Sequence, residues 1–599
     1  MARLSPILAL LLFASPKWEC QVSGLFIDDF DGSKKLHHWS FSNGAEFPGA
    51  SGTLSLGLGH EGRGAVLAYR FTCLDLTHCG HYVAAIWKAP SELDLNPGAA
   101  LCLWVRLSPD VRLTVRIRDQ NGQTLQFHAN APTLEHVAAG EWQPIVVPIT
   151  GKTAEHWGGS NSGQIQGRIV EIAILADSRY PQPAQGQMAF DDVRLSRTTD
   201  ASFRLERAAA VKAPEGTGGL QPRLGVNIHF LRDDRGLDLA RNAGFSFVRM
   251  DLLWAKLEKQ GQYDFAPFDG LMRSLEARGM GVLWLLAYGH PDHGGESPQS
   301  EEDVAAYSRY AAAVVGHFRG HNAHFEIWNE PNGKHFLANP AIYPHLLRAA
   351  LDAIRRQDPG ARVSTGGTAG FDFTFLTSML ESGSAQKASA IAVHPYRDSG
   401  PETLPADLLL LRSLIQRAGW PNLPTWDTEW GYSSDGNSSK DFPGGGHGDV
   451  ARKRQAVLAV RQCLTVWVLG LPLAVLYDLR DDGSNPFNRE DNFGLLNQDN
   501  SDKPAMKAVR VLTSVTRDHS YSGLIRDVPY GVHAIRLDGA EDIVFIVWND
   551  EIEIRPQIRF LRNELLSVSN AFGEPIIAER DAVILEETMG PIYARLKRH

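Results

Sequence analysis

Between residues 223 and 517 the chain alternates, eight times over, between a short continuous apolar run and a stretch of helical period. The apolar runs are RLGVNIHF (223–230), FSFVRMDL (245–252), MGVLWLLAYG (280–289) and HFEIWNEP (324–331), then ARVSTGG (361–367), SAIAVHPY (389–396), PTWDTEWGY (424–432) and LPLAVLYDL (471–479). Stretches such as YPHLLRAALDAIRRQ separate them, and KPAMKAVRVLTSV follows the last. Apolar strands joined by amphipathic crossovers form a parallel sheet covered by helices, and eight units predict closure into a (β/α)8 barrel. The competing open, doubly wound sheet usually carries a Gly-rich phosphate turn after its first strand. Here that strand runs into NIHFLRDD, which favours the barrel.

The flanks have a different rhythm. From 25 to 200 short alternating strands such as LCLWVRL (101–107) and VRLTVRIRD (111–119) are divided by Gly, Pro, Asn and Asp turns, which predicts a β-sandwich. Residues 201–222 lose periodicity and gain Ala, Pro and Gly, and read as a linker. The barrel is expected over 223–517. From 518 to 599 strands return (GVHAIRLDG, DIVFIVWND), enough for a small β-domain packed on the barrel.

Composition bears on partners and compartment. Net charge is −10, from 59 Lys and Arg against 69 Asp and Glu, so no broad basic field exists to hold nucleic acid. The apolar run Leu4–Ser15, behind Arg3, is too short to span a bilayer and suits a secretory signal over 1–24. A secreted or periplasmic protein without a membrane span is expected. Trp18-Glu19 before Cys20 is wrong for a lipid-attachment box. Cys73 and Cys79 close a short loop that could be a disulfide, while Cys102 and Cys463 read as small buried hydrophobes. Histidines at 290, 293, 317, 321 and 324 read as scattered surface groups, not zinc ligands.

The chemistry is expected at the C-terminal ends of the barrel strands. The fourth strand ends Trp328-Asn329-Glu330-Pro331 and the seventh Thr428-Glu429-Trp430-Gly431. Two carboxylates facing one another across the mouth suit glycosidic bond cleavage, where one protonates the leaving oxygen and the other attacks the sugar or activates water. Glu330 and Glu429 are the candidate catalytic pair. Arg249 on the second strand is placed to keep a carboxylate ionised, and Asn329 to meet a sugar hydroxyl beside the anomeric carbon. His394 and Tyr396 end strand six, and Tyr477 and Asp478 end strand eight. Trp254, Tyr288 and Trp430 offer aromatic faces to sugar rings. Trp328 reads as core, and Glu326 as a buried structural acid.

These motifs resemble glycoside hydrolase clan A. The resemblance rests on L-G-V-N at Leu224, V-R-M-D-L-L-W at 248–254, W-N-E-P-N at 328–332, V-H-P-Y at 393–396, T-E-W-G at 428–431 and D-N-F-G-L-L-N at 491–497. It is strongest to glycoside hydrolase family 39, with family 5-like motifs also fitting, and covers about residues 220–590. It implies a retaining enzyme with Glu330 as acid/base and Glu429 as nucleophile, acting on a polysaccharide or oligosaccharide with no required cofactor. One departure is Tyr477, where many clan members carry Trp.

The N-terminal module opens FIDDFDG (26–32) and closes FDDVRL (190–195), which looks like a jelly-roll carbohydrate-binding module. Asp28, Asp29, Asp191 and Asp192 either surround a structural calcium ion or serve turn chemistry. Trp39, Trp87 and Trp142 read as its core. The loop 435–449, with the sequon Asn437-Ser438-Ser439, is placed to shape the cleft rim. Two other readings remain: an exo-acting β-xylosidase- or uronidase-like enzyme, and a catalytically dead barrel that only binds glycans.

Overall fold

The computed structural model describes residues 25–32, 36, 38–44, 48–72, 81–89, 100–129, 133–134, 140–149, 155–179, 183–196, 202–204, 210–212, 218–435, 448–526, 528–550, 555–560, 564–579, 582–586 and 590–598. The signal-like start, Cys20, the Cys73–Cys79 loop and residues 436–447, with the sequon, lie outside them.

Eight parallel strands close a barrel in sequence order. They are β1 (Leu224–Asn227), β2 (Phe247–Leu253), β3 (Gly281–Ala287), β4 (Ala323–Asn329), β5 (Arg362–Ala369), β6 (Ile391–His394), β7 (Thr425–Trp430) and β8 (Ala474–Leu476). The ring closes where Leu224 pairs with Ala474. β3 is GVLWLLA with every residue buried, because one set of side chains fills the barrel and the other meets the helices. Eight helices cover the ring: α1 (Asp234–Asn242), α2 (Ala266–Glu276), α3 (Glu301–His317), α4 (Tyr343–Gln357), α5 (Phe373–Glu381), α6 (Leu404–Arg417), α7 (Asp449–Val468) and α8 (Pro504–Arg517).

Local chemistry sets these helices. α3 starts in a capping box: Asp303 N–H donates to Ser300 Oγ (3.2 Å) and Ser300 N–H donates to Asp303 Oδ2 (2.9 Å). Three acids in its first turn oppose the helix dipole. α4 buries Leu346, Leu347, Ala350, Leu351 and Ile354, one stripe at helical spacing. Its Tyr343 hydroxyl donates to the Ile327 carbonyl (2.8 Å), fixing the helix to the strand that carries the fourth-strand motif.

Before the barrel, two six-stranded antiparallel sheets enclose a separate apolar core. As the terminal motifs suggest, the first strand (Leu25–Asp28) pairs with the last (Ala184–Ser196). Trp39 and Trp87 are buried there, as read, and Trp142 is half-buried. After the barrel, Ser520–Ile525, Val532–Asp538, Asp542–Asn549, Ile592–Lys597 and Leu565–Ser569 form an antiparallel sheet.

Three sequence readings change. The stretch 201–222 is not wholly linker. Ala210–Lys212 pairs antiparallel with Ser520–Ile525, and Ser202–Arg204 pairs parallel with Gln557–Arg559. Three-residue strands are too short to show a period, and their partners lie some 300 residues away. Cys102 is disulfide-bonded, to a cysteine outside the described residues, and not simply a buried hydrophobe. Cys463 is free and buried. His290 and His324 are buried, and not surface groups. Among the described residues no helix is long and apolar enough to cross a membrane.

Candidate active site

The C-terminal ends of the strands border one cavity of about 520 Å³. Glu330 and Glu429 lie on it together, with Arg249, Asn329, Tyr288, Tyr396 and Tyr477. Arg249 rises from β2, with 4% of its side chain exposed, and distributes its guanidinium among three partners. Nε donates to Glu326 Oε2 (2.7 Å), Nη1 to Glu429 Oε2 (2.6 Å) and Nη2 to Asn329 Oδ1 (2.9 Å). Burial alone would lower its pKa, but the Glu326 and Glu429 carboxylates outweigh that and raise it. The Tyr396 hydroxyl donates to the other oxygen of Glu429 (2.9 Å).

Glu330 follows a strained segment. Trp328 has φ 72° and Glu330 φ 42°, a left-handed conformation that bulky L-residues seldom hold. The distortion at the end of β4 turns Glu330 into the mouth, where its Oε1 is 3.0 Å from His394 Nδ1. His394 is fully buried beneath it, with Nε2 3.6 Å from Glu326 Oε1. Burial would lower the His394 pKa; Glu429, Glu326 and Glu330 raise it to about 9. Glu326 is fully buried. Burial would raise its pKa, but Arg249 and His394 hold it down at about 2. Its Oε1 also accepts from Thr428 Oγ1 (2.7 Å) and Gly367 N–H (2.8 Å). Glu326 therefore ties β2, β4, β5, β6 and β7 together under the two candidate acids.

Trp254 and Trp430 do not reach the cavity; both are fully buried. Trp254 opens a one-turn helix after β2, stacks on Tyr310, and donates its indole N–H to Glu258 (2.6 Å). Trp430 packs in the apolar core against Tyr432, with the Arg397 guanidinium over its ring. Asp478 borders a neighbouring cavity with His229 and Asp482. Asn227, His229, Asp251 and Glu490 line the main cavity and were not singled out from the sequence. The available signals were the motifs L-G-V-N, which ends at Asn227, and V-R-M-D-L-L-W, which contains Asp251, and for His229 its position just past the end of β1. Among the described residues, two groups bring possible metal-ligand atoms within 4.8 Å of one another: Glu330, His394 and Glu429, and His229, Asp478 and Asp482.

In the sandwich, the aspartates are engaged in turns. Asp28 accepts from Phe30 N–H (2.9 Å) and the Trp39 indole (3.0 Å). Asp29 accepts from Asp31 N–H (3.1 Å), and Asp191 from the backbone of His60 (2.8 Å), Glu61 (3.3 Å) and Asp192 (2.7 Å). Asp192 pairs with Arg194 (2.6 Å).

No family model matches this sequence, and no curated protein sequence matches it. Solved structures do. A family 39 glycoside hydrolase from the gut symbiont Bacteroides cellulosilyticus is similar with a TM-score of 0.53 and 18% identity, over 82% of this chain and 100% of its own. The family 39 enzyme from Xanthomonas axonopodis pv. citri is similar with a TM-score of 0.50 and 18% identity, over 67% of this chain and 97% of its own. The chain has the barrel fold of family 39 glycoside hydrolases.

Proposed function

We propose that this chain is a retaining glycoside hydrolase in which Glu429 is the nucleophile and Glu330 the acid/base. One observation carries the reading: oxygens of Glu330 and Glu429 lie within 4.8 Å across the barrel mouth. Retaining enzymes hold their carboxyl groups about 5–5.5 Å apart, and inverting ones about 6.5–9.5 Å to admit a water between them. Arg249 and Tyr396 bond both oxygens of Glu429, which aims it at the mouth. His394 Nδ1, 3.0 Å from Glu330 Oε1, fixes where the acid sits. In the first step Glu429 bonds the anomeric carbon, the glycosidic C–O bond breaks, and the Glu330 proton passes to the leaving oxygen. In the second, Glu330 takes a proton from water, whose oxygen displaces Glu429 and restores the starting configuration. The group needs no metal in this scheme.

The substrate is a polysaccharide or oligosaccharide, cut internally. The central cavity shares Asn227, Ile228 and His229 with one neighbouring cavity, and Tyr396 with another bordered by Phe371 and Arg397. Neighbouring cavities on both sides, each sharing lining residues with the central one, support endo action over a closed exo pocket.

The test is proton NMR of first-formed products from a glycan panel, with Glu429→Gln alongside. Retained configuration in the wild type and loss of turnover in the variant are expected. Inverted products, or wild-type turnover by Glu429→Gln, would sink the assignment.

A further inference from the structure

Beside the catalytic cavity, on the β1 and β8 side, lies a second cavity of about 480 Å³. Its size is in the ordinary range of small-molecule sites. Asp478 and Asp482 border it from the chain that follows β8, and Asn227 and His229 from the end of β1. Asp478 is 2% exposed, and its Oδ1 has no hydrogen-bond partner among the described residues. Its Oδ2 is 3.8 Å from His229 Nδ1, which is closer to Asp482 (2.7 Å). The other cations nearby are committed elsewhere: Lys503 to Asp481 (2.8 Å) and Arg480 to Asp233 (2.8 Å). One imidazole thus faces two carboxylates. Burial is the main cause that raises the Asp478 carboxyl above the usual range, with Asp482 adding to it, and a cation brought between the two carboxyls would offset both.

Asn227 is an independent observation on a different strand. It is 2% exposed, and neither its Oδ1 nor its Nδ2 has a partner among the described residues. An unpaired buried amide costs free energy, so this one is set for a ligand that accepts one hydrogen bond and donates another. A metal ion could use Oδ1 but would leave Nδ2 unpaired. A sugar hydroxyl uses both.

We propose that this side cavity is a subsite for a sugar unit carrying a protonated amine, with the ammonium on Asp478 and Asp482 and a ring hydroxyl on Asn227. The subsite shares Asn227 and His229 with the catalytic cavity, so a unit of the bound glycan chain reaches it. The substrate class is therefore an amino-sugar glycan with free, unacetylated amines. This rests on the hydrolase reading of the neighbouring site.

Titration of the full chain with glucosamine, N-acetylglucosamine and glucose tests the subsite, at about pH 6 where the glucosamine amine is charged. Glucosamine is expected to bind about ten-fold tighter than the other two, the size of effect one charge-assisted bond supplies. Asp482→Asn, at a half-exposed position, should abolish that preference, Asn227→Ala should weaken all three sugars alike, and Glu429→Gln should leave the preference in place. Equal affinities in the wild type, or a preference surviving Asp482→Asn, overturn the proposal. So does displacement of glucosamine by Ca²⁺ or Mn²⁺ bound at the same residues, which would make the pocket a metal centre. Loss of the preference with Glu429→Gln still inactive rejects the subsite alone; an intact preference with Glu429→Gln active rejects the hydrolase reading alone.

Discussion

Arg249 is the residue on which the site's charge balance turns. It is buried and faces two carboxylates at 2.7 and 2.6 Å. Arg249→Met leaves Glu326 as a buried charge without its main partner, and breaking such a pair costs about 3–5 kcal/mol. A large fall in Tm is expected, read by calorimetry. Arg249→Lys keeps the charge but loses the planar fork, so its expected signature is a fold near wild type with kcat reduced about 10²-fold. Equal Tm values for Arg249→Met and wild type would contradict the account. Two neighbours set the pH response. The Glu326 carboxyl, normally near 4.5, is held at about 2. Its contribution is whole above pH 4.5 and lost as pH falls toward 2. The His394 pKa is raised from 6.5 to about 9. Its contribution is whole below pH 6.5 and lost as pH rises through 9. Each is about 3 kcal/mol at most. Urea unfolding between pH 7 and 10 should show a steeper loss for the wild type than for His394→Gln, with His229, also raised to about 9, carrying part of the remainder. Parallel curves would refute the His394 assignment. Glu330, Glu429 and Arg249 were legible because carboxylates at strand ends and an arginine inside an apolar strand are conspicuous. Asn227 stood only as the last residue of the L-G-V-N motif, because an amide at the end of a short strand resembles any strand terminus. Trp254 and Trp430 misled because aromatic character does not reveal which way a side chain points.

The barrel strands were legible for a physical reason: a strand buried on both faces must be apolar throughout, as β3 is. Their close approaches were not legible. At Gly367 in β5 an added Cβ would overlap the His394 ring and come within 2.8 Å of Thr428 Oγ1. Both neighbours are buried parts of the Glu326 network, so the strand cannot give way cheaply. Gly367→Ala should displace His394 from Glu330 and reduce kcat about 10²-fold while circular dichroism stays native. Unchanged kinetics would mean that His394 does not position the acid. α7 shows a related feature. It is buried nearly all round, and burial pushes the Cys463 thiol up to about 12. A thiol reagent should leave Cys463 unlabelled in the native chain and label it in denaturant.

At the scale of the molecule the three parts are not equivalent. The sandwich core takes in Tyr530 alone from beyond it, whereas the C-terminal sheet has its own core on one side and on the other joins the barrel core through Ile535, Leu537, Ile546, Trp548 and Tyr593. The join also has a buried polar centre. Glu402 receives both Nε (2.8 Å) and Nη2 (2.6 Å) of Arg461 on α7, and the Trp548 indole N–H at 2.7 Å. Residues 202–204 and 210–212, on the approach to the barrel, add strands to sheets of the C-terminal part. The sequence displays the three segments in order but not this asymmetry, because shared burial between distant segments has no local period. Trp548→Phe keeps most of the apolar volume but removes one donor to a buried carboxylate, an expected loss of about 1.5–3 kcal/mol in urea unfolding. A chain ending at Arg517 should lose cooperative melting and bind a hydrophobic dye, since the faces of α7 and α8 lose their cover. A chain beginning at Ser202 should melt cooperatively, because it keeps both the barrel core and the strands that close the C-terminal sheets. If the shorter C-terminal truncation melts like the wild type while the N-terminal one does not, the shared core is not what holds the molecule together.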